Sequence, residues 1–224
     1  MFDRFINLAI DAFENFGEQS PILIVIAGHN GAGKSTCYRE YLKEGLGVLA
    51  TTHIDPDVVE KDIRSTWVGP QPLLNEFSEM AMVEAAGTRK RLLASGGSFS
   101  FETVFSDPVG DKLSFMQKAL NEGYFVVFIF VGLDSPQKSS ERVLGRVKRG
   151  GHNVPQASIF SRYPRVISNA TKAVKIASAA LLIDNSQDSI DPNIPCYEPF
   201  AIYKNGSLVE RSEDIPAWAT SFQI

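Results

Sequence analysis

Gly28 to Ser35 reads GHNGAGKS and follows directly on the apolar run Ile22-Leu23-Ile24-Val25-Ile26-Ala27. These residues satisfy G-x-x-x-x-G-K-[ST]. In that loop, glycine-rich backbone N–H groups cradle phosphates, a lysine meets the β and γ phosphates and a hydroxyl meets Mg²⁺. The pattern carries weight only between a buried strand and a helix. Both flanks agree: Pro21 opens the strand, and Thr36 to Glu44 is helix-compatible until Gly45. The motif predicts a P-loop α/β domain whose donor site is Gly28, Asn30, Gly31, Ala32, Gly33, Lys34, Ser35 and Thr36, with ATP or GTP bound and Ser35 on the metal.

The chain of 224 residues is 44% hydrophobic with a net charge of -4, which suits one globular domain with a sizeable core. Its two cysteines, Cys37 and Cys196, lie far apart without metal-ligand spacing, so free thiols and a reducing, cytoplasmic setting are expected. Residues 1–18 carry Phe2, Phe5, Ile6, Ala9, Phe13 and Phe16 at helical spacing among charged residues. This is an amphipathic surface helix, not the continuous apolar core of a signal peptide. No apolar run approaches the roughly 18 residues of a membrane span.

Strands and helices alternate along the chain, predicting a parallel sheet with right-handed crossovers. Strands are expected at 22–27, 47–54, 98–105, 124–133 and 180–183, and helices at 56–66, 73–94 and 109–121. A basic helical region at 136–175 is broken at Gly150-Gly151, and its first part, 136–165, reads as a lid. In the tail, 196–224, Asn205-Gly206 between two strand-like stretches signals an antiparallel hairpin. The expected architecture is a three-layer α/β sandwich: a mostly parallel five-stranded sheet with a C-terminal hairpin.

Ligands of such sheets sit beyond the carboxyl ends of the strands. The second strand ends in Asp55-Pro56-Asp57. Asp55 suits an N-cap before Pro56. Asp57 suits either the helix dipole or a general base that takes a proton from an attacking hydroxyl. At the third strand's exit, Glu102 reads either as a solvated residue or as one that orders a metal-bound water or the acceptor.

From Lys138 to Lys175, nine basic residues face one acid, Glu141, a local charge of +8. Arg142, Arg146 and Arg149 fall on one helical face, where like charges repel. Phosphates closed over by these side chains would supply the missing anion. The alternative is an ordinary solvated basic face. Overall acidity and the lack of an aromatic stripe argue against nucleic-acid binding.

The series GHNGAGKST, IDPD, SFSFET, ERVLGRVKRGGHNVP with SRYPRVISNA, and LIDNS resembles the zeta-toxin family of P-loop kinases, in particular a stand-alone bacterial branch known as predicted ABC-type ATPases. The resemblance spans roughly 22–186. It implies a nucleoside-kinase-like sheet and transfer of the γ phosphate of ATP or GTP to a hydroxyl of a nucleotide-sugar-like acceptor, UDP-N-acetylglucosamine in the characterised toxins. It also implies an antitoxin as partner. By this resemblance Lys34 and Ser35 hold phosphates and Mg²⁺, Asp57 is the base, and Arg146 and Arg149 are catalytic. Asp55, Glu102 and Arg162 are assigned to the acceptor. The second lid position falls between Arg149 and His152, and Pro164 interrupts the helix that carries Arg162. Ser95-Gly96-Gly97 lacks the glutamine of an ABC signature. Two other functions fit the same residues: a nucleotide-driven switch that recruits a partner and needs no base, and a kinase acting on NAD or on a nucleic-acid hydroxyl.

Overall fold

The computed structural model describes residues 1–17, 20–46, 49, 52–70, 72–73, 76–149, 153–188 and 196–222. Its centre is set by two apolar strands, β1 (Ile22–Gly28) and β4 (Phe125–Gly132), in which every residue is buried. Strands buried on both faces belong in the middle of a parallel sheet. Around them lie β2 (Thr52–Ile54), β3 (Phe99–Thr103), β5 (Ala179–Asp184), β6 (Glu198–Lys204) and β7 (Ser207–Arg211), in the order β2-β3-β1-β4-β5-β6-β7. The first five are mutually parallel, and the last two run antiparallel to their neighbours.

Five sheet strands with a hairpin closing the chain are expected from the sequence, whereas the described residues form one sheet of seven. The Asn205-Gly206 turn forms with positive φ at both residues, as its type requires, and β6 then pairs with β5. The hairpin therefore extends the sheet.

Side-chain alternation along β1 splits the core in two. Leu23, Val25 and Ala27 join one cluster, and Ile22, Ile24 and Ile26 the other. On the first face lie α5 (Glu76–Ser95), α6 (Asp111–Asn121), α8 (Gln156–Ile176) and a 3-10 turn (Ala217–Phe222). The second is covered by α1 (Phe2–Phe16) and by the helical run after the P-loop. That run is α2 (Lys34–Cys37), a π-helical turn (Tyr38–Leu42) and α3 (Lys43–Leu46). It continues past Gly45, the expected stop. A Cβ there would lie 2.7 Å from Ile6, so Gly45 serves the approach of α1.

The remaining helices are α4 (Pro56–Thr66), which reproduces its expected bounds, and α7 (Pro136–Lys148). Helix α8 runs on through Pro164. Residues 47, 48, 50 and 51 of the expected second strand, Leu74 of the expected long helix, and the hinge at 150–152 with its His152 lie outside the described residues. Among the described residues no helix is long and apolar enough to cross a membrane.

Candidate functional site

The P-loop leaves the carboxyl end of β1 at the sheet's centre. Gly28 has φ 152°, and a Cβ would sit 2.1 Å from the Val131 carbonyl oxygen, so only glycine lets β1 and β4 run this close at the turn. Gly33, at φ 84°, is the N-cap of α2 and provides no side-chain cap, which leaves the first amides of the helical run without a side-chain acceptor. The Lys34 ammonium donates to the carbonyl oxygens of Gly28 (3.1 Å) and His29 (3.0 Å). Burial pulls its pKa down, and the charges of Glu102 and Asp57 pull it back up.

The loop is braced on three sides. Ser139 of α7 donates to the Asn30 carbonyl (2.6 Å), Asn185 to that of Ala32 (2.9 Å), and the Tyr197 hydroxyl to that of Gly33 (2.6 Å). Arg142 packs beside Gly31, and Thr36 lies half-buried in the first helical turn. Cys37 is buried, and the loss of water pushes its thiol up to about 12, with Glu102 adding to the shift, so it stays a protonated core residue.

Glu102 is not solvated. It is 5% exposed, and Oε2 accepts from the Ser35 hydroxyl at 2.7 Å. The parallel register of β1 and β3 puts Glu102 opposite Ile26, two residues before Gly28, and so level with the start of the P-loop. Asp55 proves to be the N-cap of α4: Oδ1 accepts from the Asp57 amide at 2.9 Å, with Pro56 in the first turn. Burial raises its pKa, the nearby Glu102 charge adds to the rise, and the Asp57 amide works against both.

With Asp55 spent as a cap, Asp57 projects from the first turn, and Arg146 Nη1 lies 3.2 Å from its Oδ2. Two residues 89 positions apart in sequence are thus brought together over the rim. The other basic residues separate. Lys138 and Arg142 reach the segment after β5, at Ser186, Gln187 and Asp188. Protein carboxylates therefore meet part of the basic face for which phosphate or solvent was expected. Among the described residues no hydrogen bond or ion pair joins Arg149 or Arg162 to Asp57, Glu102 or the P-loop.

Several residues here carry no sequence signal. His53, on β2, bonds Ser100 and Glu102. His29, inside the P-loop, stacks on Tyr163 of α8 at 4.3 Å and accepts the Leu133 amide on Nδ1, while the Tyr163 hydroxyl donates to the Leu133 carbonyl. Burial and the Lys34 charge drive the His29 pKa down to about 3, so this imidazole is neutral. Neither the loop motif nor the spacing along α8 signals that stack, because Tyr163 lies on a helix far from His29 in sequence.

No three acidic, histidine or cysteine side chains gather as a metal cage among the described residues. Ser35 and Glu102 instead offer hard oxygens, the sparse kind of donor set that could hold Mg²⁺ with phosphates and water completing its shell.

Compared with known proteins, residues 9–189 match the family model described as zeta toxin. The fold is similar to that of an AvrRxo1-ORF1:-ORF2 complex solved with ATP, with a TM-score of 0.58 and 16% identity over 93% of this chain and 68% of that one. It is also similar to the PezAT chromosomal toxin–antitoxin system of Streptococcus pneumoniae, with a TM-score of 0.52 and 16% identity over 99% of this chain and 86% of that one. At such identities the likeness speaks to the fold alone. None of the curated proteins compared with the chain matches it.

Proposed function

The chain belongs to the zeta toxin family of P-loop phosphotransferases, and from that premise we propose that it moves the γ phosphate of ATP or GTP to a hydroxyl of a nucleotide-sugar-like acceptor. The observation that carries this reading is the Asp57–Arg146 contact, which sets a carboxylate and a guanidinium side by side above the P-loop rim. A pure nucleotide switch has no use for a carboxylate there.

On this reading the P-loop amides and Lys34 hold the donor phosphates. Ser35, with Glu102 behind it, would hold Mg²⁺, which would supply positive charge to offset that of the donor phosphates. Asp57 accepts the acceptor's hydroxyl proton as that oxygen attacks the γ phosphorus; the bond to the β–γ bridging oxygen breaks and ADP or GDP leaves. Arg146 stabilises the charge spread over the transferred group. Asp57 is 55% and Arg146 36% exposed at the side chain, and an exposed pair of this kind is worth about 0–1 kcal/mol. Arriving phosphates therefore displace the guanidinium cheaply and leave Asp57 facing the acceptor.

The end of α7, beyond the Ser139 and Arg142 contacts that hold the P-loop and the segment after β5, and the start of α8 act as the lid, with Arg149 and Arg162 joining the site as it closes. Asp55 caps the helix that presents the base and so serves the acceptor indirectly. A protein antitoxin is the partner that the family reading brings with it.

The test incubates the protein with Mg²⁺, ATP and a panel of sugar nucleotides and dinucleotides and seeks a mass gain of one phosphoryl group. A product on the panel that disappears in Asp57→Asn supports the proposal. No product, with ATP hydrolysed as fast by Asp57→Asn as by the native chain, would sink it.

A further inference from the structure

We propose that His53 is a positioning residue that fixes the Glu102 carboxylate against Ser35, and through it the metal end of the site; this rests on the reading of Ser35 and Glu102 as that end. The parallel register of β2 and β3 sets His53 opposite Ser100. Ser100 and Glu102 are two apart on β3, so their side chains share a face of the sheet. A ring on the short edge strand therefore reaches both.

Nδ1 lies 2.8 Å from Ser100 Oγ and Nε2 lies 3.3 Å from Glu102 Oε1. Because a carboxylate only accepts, Nε2 carries a hydrogen toward Glu102, and the serine hydroxyl, which both donates and accepts, pairs with Nδ1.

A third contact orients the ring. Tyr38 stacks on it at 4.4 Å with planes 10° apart. Tyr38 is buried and begins the π-helical turn of the P-loop helix, and π-turns recur where a helix is bent to functional use. The imidazole is thereby held on one face and at both nitrogens, and its side chain keeps 28% of its surface.

Glu102 in turn has one oxygen on His53 and the other on Ser35 at 2.7 Å. With Oε1 released, the carboxylate is free to rotate about its terminal bond, and Oε2 loses its aim at the serine. A residue that touches neither phosphate nor metal then governs how well the metal is held, as partners behind metal-binding side chains generally do.

Two amide substitutions separate this role from a plain buttress of the edge strand. In His53→Gln the side-chain amide falls near the place of Nε2 and can donate to Glu102; in His53→Asn it falls near Nδ1 and meets only Ser100. Mn²⁺ binding is followed by electron paramagnetic resonance in the presence of a non-hydrolysable ATP analogue, and affinity for the analogue alone is measured beside it. His53→Asn should weaken Mn²⁺ binding about tenfold, the lower end for such partners, while His53→Gln stays within about threefold of the native chain and analogue affinity without metal stays unchanged. Metal binding preserved in His53→Asn, or lost equally in both variants, overturns the proposal. Glu102→Gln tells apart the two ways of failing. If it weakens Mn²⁺ binding while His53→Asn does not, only the role of His53 falls; if it leaves Mn²⁺ binding intact, the reading of Ser35 and Glu102 falls first.

Discussion

Every residue of β1 and β4 is buried, whereas α4, which carries Asp57, has no buried residue. The two regions meet at one rim. The donor side grows out of the sheet's centre, and its loop carbonyls are held by α7, by the segment after β5 and by Tyr197. The proposed acceptor side hangs from a three-residue edge strand, and Arg146 is tied to it by an exposed ion pair. Triphosphate recognition is the same for every acceptor and gains from a rigid frame. Acceptor recognition gains from surface elements that open locally at low cost.

Substitutions should respect that division. Arg146→Ala is expected to lower turnover by about 10³ while changing ATP affinity little, because its charge serves the transition state. Lys34→Ala should lose about 10²–10³ in turnover together with ATP affinity. Steady-state kinetics beside equilibrium ATP binding separates the two. Equal loss of affinity in both variants would place Arg146 on ground-state phosphate and blur the division.

Gly28→Ala tests the rigidity of the donor side. Positive φ and a Cβ 2.1 Å from the Val131 carbonyl oxygen leave alanine no room, and unfolding stability should fall by about 3 kcal/mol in denaturant titration. A loss below about 0.5 kcal/mol would mean that β1 and β4 part readily there.

His29 offers the finest probe. Its pKa is about 3 in the folded chain against the ordinary 6.5. Between those values the unfolded chain binds a proton that the folded chain refuses, so stability falls as pH drops through 6.5 toward 3 and is unaffected above it. The slope attributable to this group reaches about 1.4 kcal/mol per pH unit. His29→Gln should flatten the stability profile by that amount between pH 6 and 4, and identical profiles would refute the buried, neutral imidazole.

Much of the donor side is legible in the sequence because a motif fixes backbone and side chains together: Gly28, Gly33, Lys34 and Ser35 stand where the spacing places them. The place of Asp57 at the rim is legible because it follows a strand end and Asp55 has an obvious use as a cap. The contact of Arg146 with Asp57 follows from neither. It depends on how α7 settles over the sheet, and the same placement sends Arg142 to Gln187 and Asp188. His53 gives no local sign, since its worth lies in the register of β2 against β3. The hairpin shows its turn in Asn205-Gly206 but not its neighbour, because pairing with β5 is a long-range choice.

On the proposed reading donor and acceptor meet at Asp57, which Asp57→Asn puts to the test. Phosphoryl transfer to acceptor and equilibrium ATP binding are measured on the same preparation. Transfer should fall by about 10²–10⁴ with ATP binding unchanged within about twofold. Transfer that persists at the native rate would contradict the two-substrate site.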